Sequence, residues 1–264
     1  YSTPYFFGSK ALQQIPYVTI ELKHIYRQQD AAFIDILAKI RSNQVDTATM
    51  DALNARYVKG FVPPKNEDWI RLTTHNRMAQ TYNEQQLAAL KTTEMSFMAE
   101  IRRNFPESSY PADEHLVLKE GAQVMFIKND PNPGKEYYNG KIGTVEGVTW
   151  DDDRDERLIV VHCKEDDSTI YVPQLTWENT KYVIDAETKE IREEVDGTFR
   201  QYPLRLAWAI TVHKSQGLTF DHAVLDITDS FTHGQVYVAL SRCRTLEGMV
   251  LARPLLSGSV ITDA

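Results

Sequence analysis

The sequence predicts an α/β domain interrupted by an all-β insertion, and three observations carry that expectation. Strand-like and helix-like segments alternate up to about Phe105. From there to about residue 200 helical periodicity disappears, and short strand candidates follow one another between acidic or Gly/Pro turns. From Leu204 strands and a helix alternate again to the end of the chain. The expected division is 1–105 and 203–264 for the α/β domain and 106–202 for the insertion.

"YVTIELKHIY" (17–26) alternates β-branched and polar residues and reads as a strand. Asp30 then precedes "AAFIDILAKIR", where Phe33, Ile36, Leu37 and Ile40 recur at helical spacing. Asp46 or Thr47 can cap a shorter helix carrying Met50 and Leu53. "WIRLTT" (69–74) is a strand candidate, and "RMAQTYNEQQLAALK" follows as a helix. In the insertion the strand candidates are "AQVMFIKN", "GKIGTVEGV", "RLIVVHC", "STIYVP" and "KYVID", with "DDDRDE" and "KEDDS" as turns. The closing α/β part holds strands at 206–212 and 222–227, a helix "GQVYVALSR" and a last strand "GMVLAR".

A chain of 264 residues with 42% hydrophobic content can fill a sizeable core. Cys163 and Cys243 lie far apart without metal-ligand spacing, so neither a disulfide framework nor a zinc site is indicated. No apolar run reaches the length of a membrane span and no signal peptide opens the chain, so a reducing, cytoplasmic setting and no membrane partner are expected. The start at Tyr1 rather than Met is expected of a fragment or a processed product. The net charge of −8 argues against a nucleic-acid partner at first sight, but residues 146–200 hold sixteen acidic and seven basic residues. That segment carries −9 of the −8 total, which leaves +1 for the remainder: a near-neutral body with basic clusters and an acidic appendage.

Four polar segments could carry chemistry. His213-Lys214-Ser215-Gln216-Gly217 follows a buried strand that ends near Val212, and Gly217 suits a left-handed turn. Hydroxyl, imidazole and ammonium groups beyond a strand end are phosphate-contacting groups that hold a backbone without reading sequence. The plainer reading is a solvated turn. Thr73, Thr74, His75, Asn76 and Arg77 form a second such turn; ordinary N-capping by Thr74 or Asn76 explains much of it, and anion binding at a helix start is the sharper reading. Arg242 and Arg244 follow the apolar stretch of "VYVALSRCRT". Arginine there is either a dipole partner or a fork that stabilises a transferring phosphoryl group. Tyr26 and Arg27 end the first strand candidate, suited to a base and a phosphate or to a half-buried surface pair. No G-x-x-x-x-G-K-[ST] occurs, no Asp-Glu pair follows a buried strand to hold Mg²⁺, and no Ser/His/Asp or Cys/His constellation stands out.

The four segments occur in an order that resembles the C-terminal half of superfamily 1B DNA helicases, the group of RecD-like, Dda-like and petite-integration-frequency enzymes. "HIYRQ" is similar to helicase motif IV, "WAITVHKSQGLTFD" to motif V and "GQVYVALSRCRT" to motif VI. "LTTHNRMAQTYNEQQL" resembles the strand-helix segment after motif IV, and "GAQVMFIKND" with "YYNGKIGTV" the start of an inserted Src-homology-3-type barrel. The resemblance runs from about residue 5 to 252. It implies a second RecA-like domain, of P-loop-NTPase type but lacking the P-loop, with a small antiparallel β-barrel inserted. It also implies that Arg27 and Arg242 reach the γ-phosphate of ATP bound by a preceding RecA-like domain. Tyr26 would lie near the adenine, and Gln216 and Gly217 at the cleft. Thr74, His75, Asn76, His213, Lys214 and Ser215, helped by Arg77, would hold single-stranded DNA phosphates. The partners implied are single-stranded DNA and the protein's own N-terminal RecA-like domain, with ATP and Mg²⁺ as cofactors of the complete 5′-to-3′ motor. Such motors serve DNA transactions that include repair and recombination.

Two departures bear on this. The P-loop, the Mg²⁺-binding acidic pair and the first RecA-like domain do not occur in the sequence, so this chain alone is expected to be inactive and to bind no cofactor. Thr219 stands where related superfamily 1A enzymes carry a ribose-binding Glu, which puts sugar recognition by this segment in doubt. Two other readings compete: a non-motor binding module whose acidic turns face a protein partner, and a structural domain of a larger ATPase. A GxxxxGK[ST] segment roughly 150–250 residues upstream separates the motor from the module.

Overall fold

The computed structural model describes residues 3, 5–21, 25–64, 66–153, 155–185, 188–227, 234–256 and 258. Its α/β part is built on four short strands, β1 (Ile70–Thr73), β12 (Ala209–Thr211), β13 (Ala223–Asp226) and β14 (Met249–Leu251). They form one sheet in the order β12-β1-β13-β14, and every pairing in it is parallel. Helices α1 (Ala31–Arg41), α2 (Thr47–Asn54) and α4 (Gln235–Leu240) supply the core of one face, and α3 (Asn76–Ala89) contacts β1 and β12.

The apolar stripe of α1 is the one the spacing predicts: Phe33, Ile36, Leu37 and Ile40 are buried, in one cluster with Leu53, Ile70, Leu72, Leu225, Leu240 and Leu251. Each fully buried Phe or Leu of this kind contributes about 2 kcal/mol. Asp30 caps α1 by accepting the Ala32 N–H, and Asp46 caps α2 by accepting the Thr49 N–H at 2.7 Å. The Thr49 hydroxyl and amide, with Lys39, hold the Asp46 carboxyl down to about 2, so the cap is ionised throughout the physiological range. Asn83 of α3 seals β12 from the side, donating to the Ala209 carbonyl and accepting the Ala209 N–H, both at 2.8 Å.

The insertion is all β, as its periodicity predicts. Strands β5 (Gln123–Phe126), β6 (Ile142–Asp151), β7 (Glu156–Cys163), β8 (Ser168–Val172) and β11 (Leu204–Leu206) form an antiparallel sheet in the order β11-β5-β6-β7-β8. Beside it β2 (Glu94–Met98) pairs with β4 (His115–Lys119). A long ribbon of β9 (Leu175–Ile184) and β10 (Ile191–Gln201) pairs with β3 (Glu100–Arg103). Among the described residues these remain open sheets. No ladder joins the edge strands β8 and β11, so the small antiparallel barrel expected here is not detected as a closed one. The β-only region is also wider than 106–202. Residues 94–103 pair with strands of the insertion, and 204–206 with β5, because their partners lie there and not in the parallel sheet.

The two parts are tied together rather than strung on linkers. Gln123 of β5 donates to the carbonyls of Trp69 and Ala207, both at 2.9 Å, bridging the lead-ins to β1 and β12. Lys164 reaches Asp68 at 3.0 Å. Gly140, at φ +105°, packs against Leu218 so closely that a Cβ would meet the leucine side chain.

One expected element is missing. "YVTIELKHIY" joins no sheet among the described residues, and residues 22–24 lie outside the described set. Tyr17, Val18, Ile20 and Tyr26 are each more than 60% exposed. Alternation makes a strand only where a neighbour supplies hydrogen bonds, and none of the described strands runs beside this segment.

Candidate functional site

Two groups of polar residues emerge from this scaffold. The first is built around Ser241, in the turn that ends α4. Arg27 donates through Nε to the Thr219 hydroxyl at 2.8 Å and through Nη1 to the Ser241 carbonyl at 2.9 Å. Arg242 donates through Nη2 to the Ser241 hydroxyl at 2.9 Å and through Nε to the Val238 carbonyl at 3.0 Å. Two guanidinium groups thus converge on one residue from segments more than two hundred positions apart. Burial and then the neighbouring Arg27 cation push the Arg242 guanidinium below its ordinary value. It stays a cation at neutral pH, in a place where a second cation and lost water both favour the arrival of an anion.

Backbone pairing holds this group together. The Phe220 N–H donates to the Arg242 carbonyl at 2.9 Å, and the Arg244 N–H to the Phe220 carbonyl at 3.1 Å. Gln28, 5% exposed, donates to the carbonyls of Ser241 and Cys243 at 3.1 and 2.9 Å. Thr219, Gln28 and Ser241 were not singled out by the sequence as partners of the arginines. A Gln directly after Arg27 and a Thr two residues past Gly217 are ordinary residue types, and only long-range packing gives them meaning. Arg244, exposed, pairs with Asp221 at 3.3 Å, and Cys243 is fully buried, its thiol pushed up to about 12 by desolvation. Tyr26 is 84% exposed next to Arg27.

The second group lies at the carboxyl ends of β1 and β12. The strands are neighbours in register, Thr73 opposite Thr211, and the Val212 N–H donates to the Thr73 carbonyl at 2.9 Å. The turns 74–77 and 213–217 therefore start side by side. His213, Lys214, Gln216 and Gly217 are exposed, as are His75, Asn76 and Arg77. Gly217 has φ +85°, the left-handed turn expected of it. Asn76 and Lys214 line a shared cavity of about 690 Å³, together with Arg205, Asp113 and Glu84. His75 and Arg77 instead line a separate cavity of about 500 Å³, with Arg71 and Tyr82. The set therefore divides around the start of α3. Partial desolvation, then the Arg205 cation, push the Lys214 ammonium below its ordinary value, with Asp113 opposing them.

Two expectations need correcting. Ser215 is fully buried, and its hydroxyl donates to the Val212 carbonyl at 2.7 Å, so it closes the turn from inside and presents nothing to a phosphate. Neither Thr74 nor Asn76 caps α3. The N-cap is His75, without a side-chain bond to the helix, because Thr74 shares its hydroxyl with His75 Nδ1 at 2.7 Å and Asn76 is already helical. Arg205 was missed: a charged residue inside the apolar run "PLRLAWAI" was the available signal.

Comparison with known proteins places helicases beside this chain. Residues 206–250 match the model of the UvrD-like helicase C-terminal domain, a stretch that spans both the 213–217 turn and Arg242. The ATP-dependent DNA helicase Pif1 of Bdellovibrio bacteriovorus is 33% identical over 240 residues, 88% of this chain and 49% of the relative. Pif1 from Bacteroides in complex with ADP-AlF4 superposes with a TM-score of 0.83 at 36% identity, covering 98% of this chain and 57% of that one. The Bacteroides helicase in complex with ADP-AlF3 and single-stranded DNA gives a TM-score of 0.71 at 36% identity, covering all of this chain and 58% of that one. The chain thus spans about half the length of these relatives. Along nearly its whole length it is similar to Pif1-type helicases, and it resembles the C-terminal half of a superfamily 1B helicase.

Proposed function

We propose that this chain is the arginine-supplying, DNA-tracking half of an ATP-dependent 5′-to-3′ DNA helicase. In this reading the parallel sheet and its helices are the second RecA-like domain, and the β insertion is the counterpart of a Src-homology-3-type module. The observation that carries the reading is the meeting of Arg27 and Arg242 at Ser241. Their bonding partners here are hydroxyls and carbonyls, neutral groups that leave the pair's positive charge for an incoming anion. That donor set fits the γ-phosphate of ATP held by a preceding RecA-like domain. Bound there, ATP supplies the phosphoryl group whose transfer to water drives the motor. Arg27 and Arg242 orient and neutralise the developing charge, with Tyr26 toward the base and Gln216 and Gly217 at the mouth of the same cleft. In this reading Mg²⁺ is held by the nucleotide-binding half, and the chain by itself is proposed to be inactive.

The 74–77 and 213–217 turns are proposed to hold single-stranded DNA by its phosphates, through Asn76, His213 and Lys214, with His75 and Arg77 on the other side of the start of α3. Affinity should be sequence-independent and fall steeply with salt. Fluorescence titration of a labelled oligonucleotide at several salt concentrations checks this. Lys214→Ala should flatten the log–log salt slope by about 0.7. Ser215→Ala should leave that slope unchanged while lowering stability by about 1 kcal/mol, because it removes only an internal hydrogen bond. A slope that falls in Ser215→Ala and not in Lys214→Ala contradicts the assignment. Turnover measurements on Arg27→Ala and Arg242→Ala test the motor reading itself.

A further inference from the structure

We infer that Thr219 is a positioning residue for Arg27: its hydroxyl, held between two anchored backbone segments, fixes the plane in which the Arg27 guanidinium meets the nucleotide. This rests on the motor reading above and adds to it a role for a residue at which the helicase resemblance only withdraws one.

An arginine side chain is long, and ordering it costs about 2 kcal/mol of rotamer entropy. A single anchor fixes its distance but not its plane, and a planar fork acts only when its plane is right. Arg27 has two anchors, at two different atoms of the guanidinium, and they come from different parts of the chain: the Thr219 hydroxyl at 2.8 Å and the Ser241 carbonyl at 2.9 Å. Each is itself rigidly placed. Thr219 lies between Leu218, whose N–H donates to the Ser215 carbonyl at 3.0 Å, and Phe220, which is paired with Arg242 and Arg244 through both its backbone groups. As a β-branched residue, Thr219 has few χ1 choices. The Ser241 carbonyl is also gripped by the buried Gln28 amide at 3.1 Å. The five donors of a guanidinium exceed these two bonds, so a plane set by Thr219 and Ser241 still offers N–H groups to phosphate oxygens.

The experiment uses the protein that joins this chain to its nucleotide-binding half and measures kcat and KM for ATP. Variants are Thr219→Val, which keeps the shape and loses the acceptor, and Thr219→Ser, which keeps the acceptor, each alone and combined with Arg27→Ala. Thr219→Val should lower kcat roughly tenfold, the worth of one hydrogen bond to a charged group, with KM changed less than about twofold. Thr219→Ser should stay within about threefold of wild type. In the Arg27→Ala background Thr219→Val should have no further effect, since there is nothing left to position. A kcat within about twofold of wild type in Thr219→Val, a loss that persists undiminished without Arg27, or a serine variant as impaired as the valine one overturns the assignment. Wild-type turnover in Arg27→Ala alone is a different result, and it overturns the motor reading as well. An unchanged thermal midpoint in Thr219→Val separates positioning from damage to the fold.

Discussion

Arg242→Ala should lower ATP turnover on the order of 10³-fold in the protein that carries both helicase halves, while ATP affinity changes far less. The side chain is short-tethered: Nε sits on the Val238 carbonyl of the last turn of α4, and Nη2 on the Ser241 hydroxyl. It is partly stripped of water and faces a second cation, so an arriving anion gains from both, and gains most when extra negative charge develops during phosphoryl transfer. Charge alone is not enough. Arg242→Lys retains a cation but loses the fork that donates to Ser241 and Val238 together, and should recover less than about a tenth of wild-type turnover. Steady-state ATPase assays at saturating ATP read this directly. Turnover within about threefold of wild type in Arg242→Ala removes the residue from the role.

Gly248→Ala should be the most damaging conservative change to the fold, lowering stability by about 3 kcal/mol or more. A methyl at Gly248 would run into the backbone carbonyl of Asp221, which cannot step aside as a side chain can. Asp221 leads into β13, and the Ala223 N–H donates to the Gly248 carbonyl at 2.9 Å, so the two strands are locked in register there. The Gly248 N–H donates to the Thr245 hydroxyl at 3.0 Å, which closes the turn after Arg244. Distortion at this point travels straight to the Phe220–Cys243 pairing and hence to Arg242. Gly60 offers the contrast: at φ +67° with open space around it, Gly60→Ala meets only backbone strain of about 1 kcal/mol. Urea denaturation of both variants measures the difference. Equal midpoints contradict the packing argument.

The sequence revealed the elements whose signal is local. The stripe of α1, the Asp46 cap and the β1, β12 and β13 strands were legible because apolar periodicity and capping act within a few residues. The left-handed turn at Gly217 was legible for the same reason. Strands β2, β3, β4 and β10 were not. "IREEVDGTFRQ" is too charged to look like a strand, and it becomes one because β9 and β3 flank it. The reverse holds at 17–26, where good alternation met no partner strand among the described residues. At the site, Arg27 and Arg242 stood out as residue types in a recognisable order. What holds them did not, since Thr219, Gln28 and Ser241 act over separations of about two hundred residues. Ser215 misled for a related reason: a hydroxyl in a polar turn looks available until the fold turns it inward.

The most direct test is the affinity of ADP–aluminium fluoride, a mimic of the transferring phosphoryl group, against that of ADP alone, for wild type, Arg27→Ala and Arg242→Ala in the two-halved protein. The expected result is a loss of about a hundredfold or more for the mimic in each variant, with ADP within about threefold. Equal losses for both ligands, or undiminished affinity for the mimic, would mean that the paired arginines do not meet the nucleotide.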